Sequence, residues 1–236
     1  MKPISFPAFF SWMLILSITI VACAGCTGTT RPAGEIVSGY KAHIAAVSDY
    51  SMEAVQTFSS GSSQDLEIHF KQPYQYLIRH EVSPGGRTWT VAVQNLTYTR
   101  YEPASRTADI LPIHDPETCF PPIADPNRLA FPVLFSGAYS LSDAGVETIR
   151  GRDAYRIDAA NSGPGNYFDE GLNGTVRIWI DRNSWLVTRI EARDSAGVLK
   201  NTFDVENFTP NTGIPDSEFT VAFPEGTKIV HPNQFC

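Results

Sequence analysis

Alternation between apolar and polar side chains constrains this fold more than any other feature of the sequence. Between residues 64 and 70, Leu66, Ile68 and Phe70 alternate with polar residues. A period of two residues is typical of a strand with one buried face. Similar short segments recur at intervals of about ten residues with turn residues between them, the last two at 219–223 and 228–230. The pattern predicts a mainly β (α+β) fold: a curved antiparallel sheet or incomplete β-barrel of about ten strands.

Two segments break this alternation and predict helices. Between residues 33 and 48, Ile36, Tyr40 and Ile44 recur at helical spacing on one face. Further along, Asp125-Pro126 is typical of a helix start, with Asp as N-cap and Pro at the first helical position. Pro132 limits that second helix to a short segment. The sequence therefore predicts that an N-terminal helix and a short mid-chain helical segment close the sheet.

The first 26 residues resemble an export signal with a lipidation site. A short basic start precedes an uncharged, mostly apolar segment from residue 6 to 22. Its length suits a signal peptide and falls short of a spanning helix. Small residues then precede Cys26, which is the favoured lipidated residue, with Cys23 as the alternative. Ordinary cleavage near Ala24 or an uncleaved anchor are the other readings. Residues 27–34 form a polar tether, and 35–236 form a single domain.

Export leaves two further cysteines, Cys119 and Cys236. In an oxidising compartment the simplest expectation for such a pair is a disulfide, and two free thiols are the alternative. Three glycosylation sequons begin at Asn95, Asn173 and Asn207, and they matter only in a host that glycosylates exported proteins.

Charge and motif content narrow the class of function. The formal net charge is −7, which disfavours nucleic acid as a partner. The sequence contains none of the common nucleophile, zinc or nucleotide-binding motifs. It therefore predicts no catalytic residue, metal site or cofactor. A concave apolar sheet face covered by helices instead favours a ligand site.

Several short motifs resemble those of the LolA/LolB-like lipoprotein-carrier superfamily, including its lipid-anchored relatives. They are a helix that leads into a Tyr-containing turn at 40–50, Phe-Lys-Gln-Pro-Tyr at 70–74, Leu-Thr-Tyr-Thr-Arg-Tyr-Glu-Pro at 96–103, Gly-Arg-x-x-Tyr-x-Ile at 151–157, Ile-Trp-Ile-Asp at 178–181 followed by Leu-Val-Thr-Arg-Ile at 186–190, and Phe-x-x-x-x-Pro-x-Gly at 219–226. Val187 departs from the pattern, since proline is common there in the family. The resemblance covers about residues 40–230.

The resemblance implies an incomplete barrel that holds acyl chains of lipids or lipoproteins in an apolar cavity, without catalysis. The candidate cavity residues are Tyr40, Ile44, Trp89, Tyr98, Phe131, Phe135 and Trp179. The expected location is the outer face of the cell membrane, or the periplasmic face where a second membrane exists. The alternative is a cell-surface sensor or interaction module that binds another protein. A lipid binder predicts a large apolar pocket under residues 111–141, whereas an interaction module predicts a filled interior and an exposed apolar patch.

Overall fold

Twelve strands form one open sheet in the computed structural model, which describes residues 31–114, 125–161 and 174–232. The strands are β1 (Asp49–Phe58), β2 (Ser63–Lys71), β3 (Gln75–Ser83), β4 (Arg87–Gln94), β5 (Thr97–Glu102), β6 (Thr107–Pro112), β7 (Tyr139–Ile149), β8 (Arg152–Asn161), β9 (Thr175–Asp181), β10 (Val187–Arg193), β11 (Leu199–Pro210) and β12 (Lys228–Val230). The order across the sheet is β12-β6-β5-β4-β3-β2-β1-β11-β10-β9-β8-β7. Neighbours are antiparallel except β12 and β6, which are parallel.

Two α-helices accompany the sheet, α1 (Ala33–Ala46) and α2 (Pro126–Phe135). The prediction of a mainly β fold, with an incompletely closed antiparallel sheet and these two helices, is confirmed. Neither of the described helices has both the length and the apolar content that crossing a bilayer requires. Cys23, Cys26, Cys119, Cys236 and Asn173 lie outside the described residues.

Strand β1 joins the two halves of the sheet. It pairs with β2, with Tyr50 opposite Phe70, and with β11, with Tyr50 opposite Pro210. The sequence motif assigns a turn to the end of 40–50, but the chain turns at residues 47 and 48 and β1 has already begun at Asp49. Because β1 pairs with both β2 and β11, it joins the strands β2–β6 and the strands β7–β11 into one continuous sheet.

The main core lies between the helices and one face of the sheet, which we call the inner face. Ile68, Ile78 and Ile178 project from this face and are fully buried. Ile36 and Tyr40 of α1 are buried against the same core. Burial of one such aliphatic side chain contributes about 1.5–3 kcal/mol, so this layer accounts for much of the hydrophobic stabilisation.

The C-terminal segment covers part of the opposite, outer face. Ile214 and Phe219 pack there against Leu77 of β3 and Ala92 of β4. Lys71 Nζ reinforces the contact by donating to the Ile214 carbonyl at 3.0 Å. The strand predicted over 219–223 is wrong. Residues 216–219 form a 3₁₀ turn that inserts Phe219 into this cluster, and residues 220–224 have no regular structure.

Candidate ligand site

The start of α2 is fixed by a buried carboxylate. Asp125 Oδ1 accepts a hydrogen bond of 2.9 Å from the Asn127 amide, as expected of an N-cap, and the Tyr50 hydroxyl of β1 donates to Asp125 Oδ2. Asp125 is fully buried, and this burial raises the pKa of its carboxyl above the ordinary value. The cap therefore joins α2 to the middle of the sheet.

Asn127 adds two further ties at the same end of α2. Its carbonyl oxygen accepts a 3.0 Å hydrogen bond from the Tyr40 hydroxyl of α1. Its side-chain Oδ1 accepts a 3.0 Å hydrogen bond from the backbone amide of Val187 in β10. Through Asp125 and Asn127 the first turn of α2 is thus connected to α1, β1 and β10.

Three tyrosines surround this polar cluster. Burial, with a further contribution from the charge of Asp125, raises the pKa of Tyr40, Tyr50 and Tyr76. All three hydroxyls therefore stay protonated at neutral pH. They provide a polar centre inside an otherwise apolar interior, which suits Tyr because its ring packs while its hydroxyl finds a partner.

The rest of α2 holds to the protein mainly through apolar surface. Ala130, Val133 and Leu134 are buried in the main core. Phe131, by contrast, is 45% exposed. Its ring lies 4.5 Å from that of half-buried Phe135, measured between centroids, and Phe135 stacks on Tyr40 at 6.2 Å. The C-terminal half of α2 therefore presents aromatic surface to solvent.

Five of the seven predicted cavity residues lie in or against the same core, and Phe131 lies beside it. Tyr40 and Tyr98 are buried within it, Ile44, Trp89 and Phe135 pack against it half-buried, and Phe131 lies on the exposed side of α2. Trp179 does not join them. It lies between Ile178 and Ile180, which face the core, so it points to the outer face and packs with Ile149 and Ala154.

In the described ranges, buried side chains fill the space between the two helices and the sheet. Ile36, Tyr40, Ala130 and Ile68 are each 0% exposed. A crevice of about 480 Å³ lies instead on the outer face. Five of its thirteen lining residues are acidic, including Glu53, Glu81 and Glu206, and this negative charge does not suit acyl chains. An acyl chain would have to displace α2 to enter the interior.

A second buried polar group lies further along the inner face. His80 of β3 is 8% exposed, and its ring stacks on Trp89 of β4 with centroids 4.6 Å apart. Its Nδ1 is 3.4 Å from Gln64 Oε1. Burial, together with the charge of Arg100, lowers the pKa of His80 to about 4. The imidazole is therefore neutral at physiological pH.

Sequence reasoning did not single out Tyr50 or Asn127. The Asp125-Pro126 signature located the cap but not its partners. Contacts such as Tyr40 to Asn127 span 87 residues, so local sequence carries no signal for them. The described sequon residues are Asn95, in the turn after β4, and Asn207, which is exposed on β11 and donates to Glu53.

Comparison with known proteins gives likenesses of structure only. No family model matches the sequence. No curated protein matches it either.

Among solved structures, an uncharacterized conserved protein from Thermus thermophilus matches with a TM-score of 0.57 at 12% identity, over 85% of this chain and 99% of that chain. A chain in the complex of MucA and MucB from Pseudomonas aeruginosa matches with a TM-score of 0.49 at 14% identity, over 79% of this chain and 61% of that one. This chain thus spans about three fifths of that protein's length.

A LolA superfamily protein from Nitrosomonas europaea matches with a TM-score of 0.34 at 10% identity, over 81% of this chain and 98% of that chain. At such identities a likeness concerns the fold and leaves activity open. The match to the Thermus thermophilus protein, whose TM-score exceeds 0.5, therefore shows a shared fold and nothing about function.

Proposed function

We propose that this protein is an exported, lipid-anchored, non-enzymatic binding protein that takes acyl chains between α2 and the inner face of the sheet. The observation that carries the proposal is the uneven attachment of α2. The described hydrogen bonds from α2 to other elements lie at its first turn, through Asp125 and Asn127, whereas the other end makes ring contacts, between Phe131 and Phe135 and between Phe135 and Lys41. A helix held in this way can pivot about its first turn.

The interior exposed by such a pivot has the right chemistry for an acyl chain. It combines branched aliphatic side chains from the strands with Tyr40, Tyr98 and Trp89. Apolar sites with a few convergent polar groups are typical of lipid-sized ligands. The filled interior is, in this proposal, the closed state, in which α2 occupies the ligand's place.

Photocrosslinking tests this proposal on the full chain in its own membrane. Cells that express the protein are fed a diazirine-bearing fatty acid and irradiated. The protein is then purified, and the positions of the adducts are mapped by peptide mass spectrometry. We expect adducts on inner-face residues such as Tyr98 and on the underside of α2. Asn127→Ala, which removes the tie to Val187, should raise the yield, while Asn207→Ala on exposed β11 should leave it unchanged. Adducts confined to the exposed surface would contradict acyl binding.

A protein-interaction module is the second candidate, and a specific observation favours it. The filled interior and the exposed Phe131 are the two features expected of such a module. If crosslinks fail to reach the inner face and Phe131→Ser instead abolishes pull-down of a defined partner, the interaction function replaces the lipid-binding one.

Anchoring is a separate part of the proposal. Intact-mass analysis of protein from the membrane fraction should reveal a lipid-modified N-terminal cysteine at Cys26, and Cys26→Ser should release the protein from that fraction. If Cys26→Ser keeps the lipid modification and Cys23→Ser loses it, the lipidated residue is Cys23. If the Cys23→Ser/Cys26→Ser double variant carries no lipid and still remains in the membrane fraction, anchoring by lipidation is contradicted.

A further inference from the structure

A basic, aromatic-walled pocket lies beside the start of α1, away from the interior discussed above. It has a volume of about 500 Å³. It is formed by the turn between β7 and β8 with the start of β8, by the turn between β9 and β10, and by Arg31, two residues before α1. Its charged and aromatic lining comprises Arg31, Arg152, Asp153, Tyr155, Arg182 and Trp185.

The charge of this pocket is opposite to that of the protein. Three arginines and one aspartate line it, whereas the whole chain has a net charge of −7. Asp153 is 3.8 Å from Arg182 and compensates only part of the positive charge. Nearby Asp181 is occupied within its own turn, where Oδ1 accepts from the amides of Asn183 and Ser184. An anion is therefore the ligand that the local field favours.

The aromatic rings hold two of the guanidinium groups in place. The Arg31 Cζ atom is 5.8 Å from the ring centroids of both Tyr155 and Trp185, and Arg182 Cζ is 5.5 Å from the Tyr155 centroid. A guanidinium stacked on a ring keeps its N–H groups free at the edge, where they can fork onto phosphate oxygens. Trp185 is itself fixed, because it stacks on His43 of α1 at 5.0 Å.

The position of the pocket in the chain points to the source of the anion. Arg31 follows Cys26 by five residues. A chain of this length spans at most about 18 Å. If Cys26 carries the lipid, as proposed above, the pocket lies within reach of the phospholipid headgroups. We propose that this pocket binds the headgroup of a net-anionic phospholipid in the membrane that anchors the protein.

Calorimetric titration of the full chain in maltoside micelles tests the proposal. The probes are short-chain dihexanoylphosphatidylglycerol, its zwitterionic phosphatidylcholine counterpart and inorganic phosphate. We expect saturable binding of phosphatidylglycerol only. Each arginine near an anionic lipid contributes about fivefold in affinity. The Arg31→Gln/Arg182→Gln double variant should therefore bind roughly 25-fold more weakly, and Arg31→Gln alone, which changes a residue before the first helix, about fivefold.

Arg106→Gln is the matched control for Arg31→Gln, since Arg106 is exposed in the turn between β5 and β6 and the substitution makes the same change of one unit in net charge. It should bind like the wild type. Equal binding of phosphatidylcholine, equal binding of inorganic phosphate, or an unchanged affinity in the double variant would each overturn the proposal. None of these results bears on acyl binding under α2, which the crosslinking experiment addresses separately.

Discussion

The hydroxyl of Tyr40 in α1 donates a 3.0 Å hydrogen bond to the backbone carbonyl of Asn127 in α2. Both residues are buried, and Lys41 of α1 makes a further contact with α2, its Nζ lying 5.5 Å from the Phe135 ring centroid. Because Asn127 also accepts from Val187 of β10, one residue couples both helices to the sheet. A movement of α2 would thus break or strain this hydrogen bond to α1, the helix that follows the proposed membrane tether.

The first prediction concerns the cap of α2. Asp125→Ala removes the acceptor for the Tyr50 hydroxyl and for the Asn127 amide, so it should lower the free energy of unfolding by about 2–4 kcal/mol. Asp125→Asn keeps a capping oxygen and removes a buried charge whose pKa is already raised, so it should change stability by less than about 1 kcal/mol. Urea unfolding at neutral pH measures both. Equal losses would mean that the charge itself is required.

These contacts show where sequence reasoning ends for this protein. Helical periodicity located α1, the Asp125-Pro126 signature located α2, and alternation located most strands, because each of these signals lies within a few residues. Sequence reasoning missed β1 because Tyr50 was read as part of a turn motif. It also placed Trp179 with the cavity residues, although its neighbours Ile178 and Ile180 are the ones that face the core. Both faces of β9 are apolar at that point, so alternation alone gives no direction.

The polar cluster at α2 was out of reach for a different reason. Tyr50 is 75 residues from Asp125 and Tyr40 is 87 residues from Asn127, and only the assembled fold brings these pairs together. The pocket with Arg31 and Arg182 is of the same kind. Single arginines in a net-acidic sequence do not indicate an anion site, because only the folded structure brings the segments that carry them together.

The second prediction compares two glycines of α1. A Cβ atom at Gly39 would lie 2.3 Å from the ring of Trp185, which is stacked on His43 and cannot easily move. Gly39→Ala should therefore destabilise the protein by about 1–3 kcal/mol. Gly34→Ala in the same helix meets nothing within 4 Å and should stabilise it by up to about 1 kcal/mol. Thermal unfolding of the two variants gives the comparison, and a stabilised Gly39→Ala would contradict the close packing of α1.

The third prediction is a pH dependence that originates at His80. Its pKa is lowered from 6.5 to about 4 in the fold, so between these values the unfolded chain binds a proton that the folded chain does not. Stability is therefore fully present above pH 6.5 and is lost as the pH falls towards 4. From pH 7 to pH 5 the loss should be about 2 kcal/mol.

A matched pair of variants isolates this contribution. His80→Phe keeps a ring against Trp89 but cannot titrate. The decrease in its free energy of urea unfolding from pH 7 to pH 5 should therefore be about 2 kcal/mol smaller than the decrease in the wild type. His231→Gln removes an exposed histidine and should leave the wild-type difference unchanged. Equal pH dependence in His80→Phe and the wild type would assign the loss to other groups.

The last prediction concerns the proposed disulfide between Cys119 and Cys236. Strand β12 lies parallel to β6, with Val230 opposite Asp109, and His231 Nδ1 is 3.3 Å from the Ile110 carbonyl. The two strands therefore run in the same direction towards the segments that carry the two cysteines. The intact mass measured without a reductant should be lower by two hydrogen atoms than the mass measured after reduction. In Cys119→Ser the two masses should be equal. Because the closed loop exceeds a hundred residues, its loss should cost at most about 4–5 kcal/mol. Free thiols at both positions in the exported protein would leave β12 held by its pairing with β6 alone, and Cys119→Ser would then leave the free energy of unfolding unchanged.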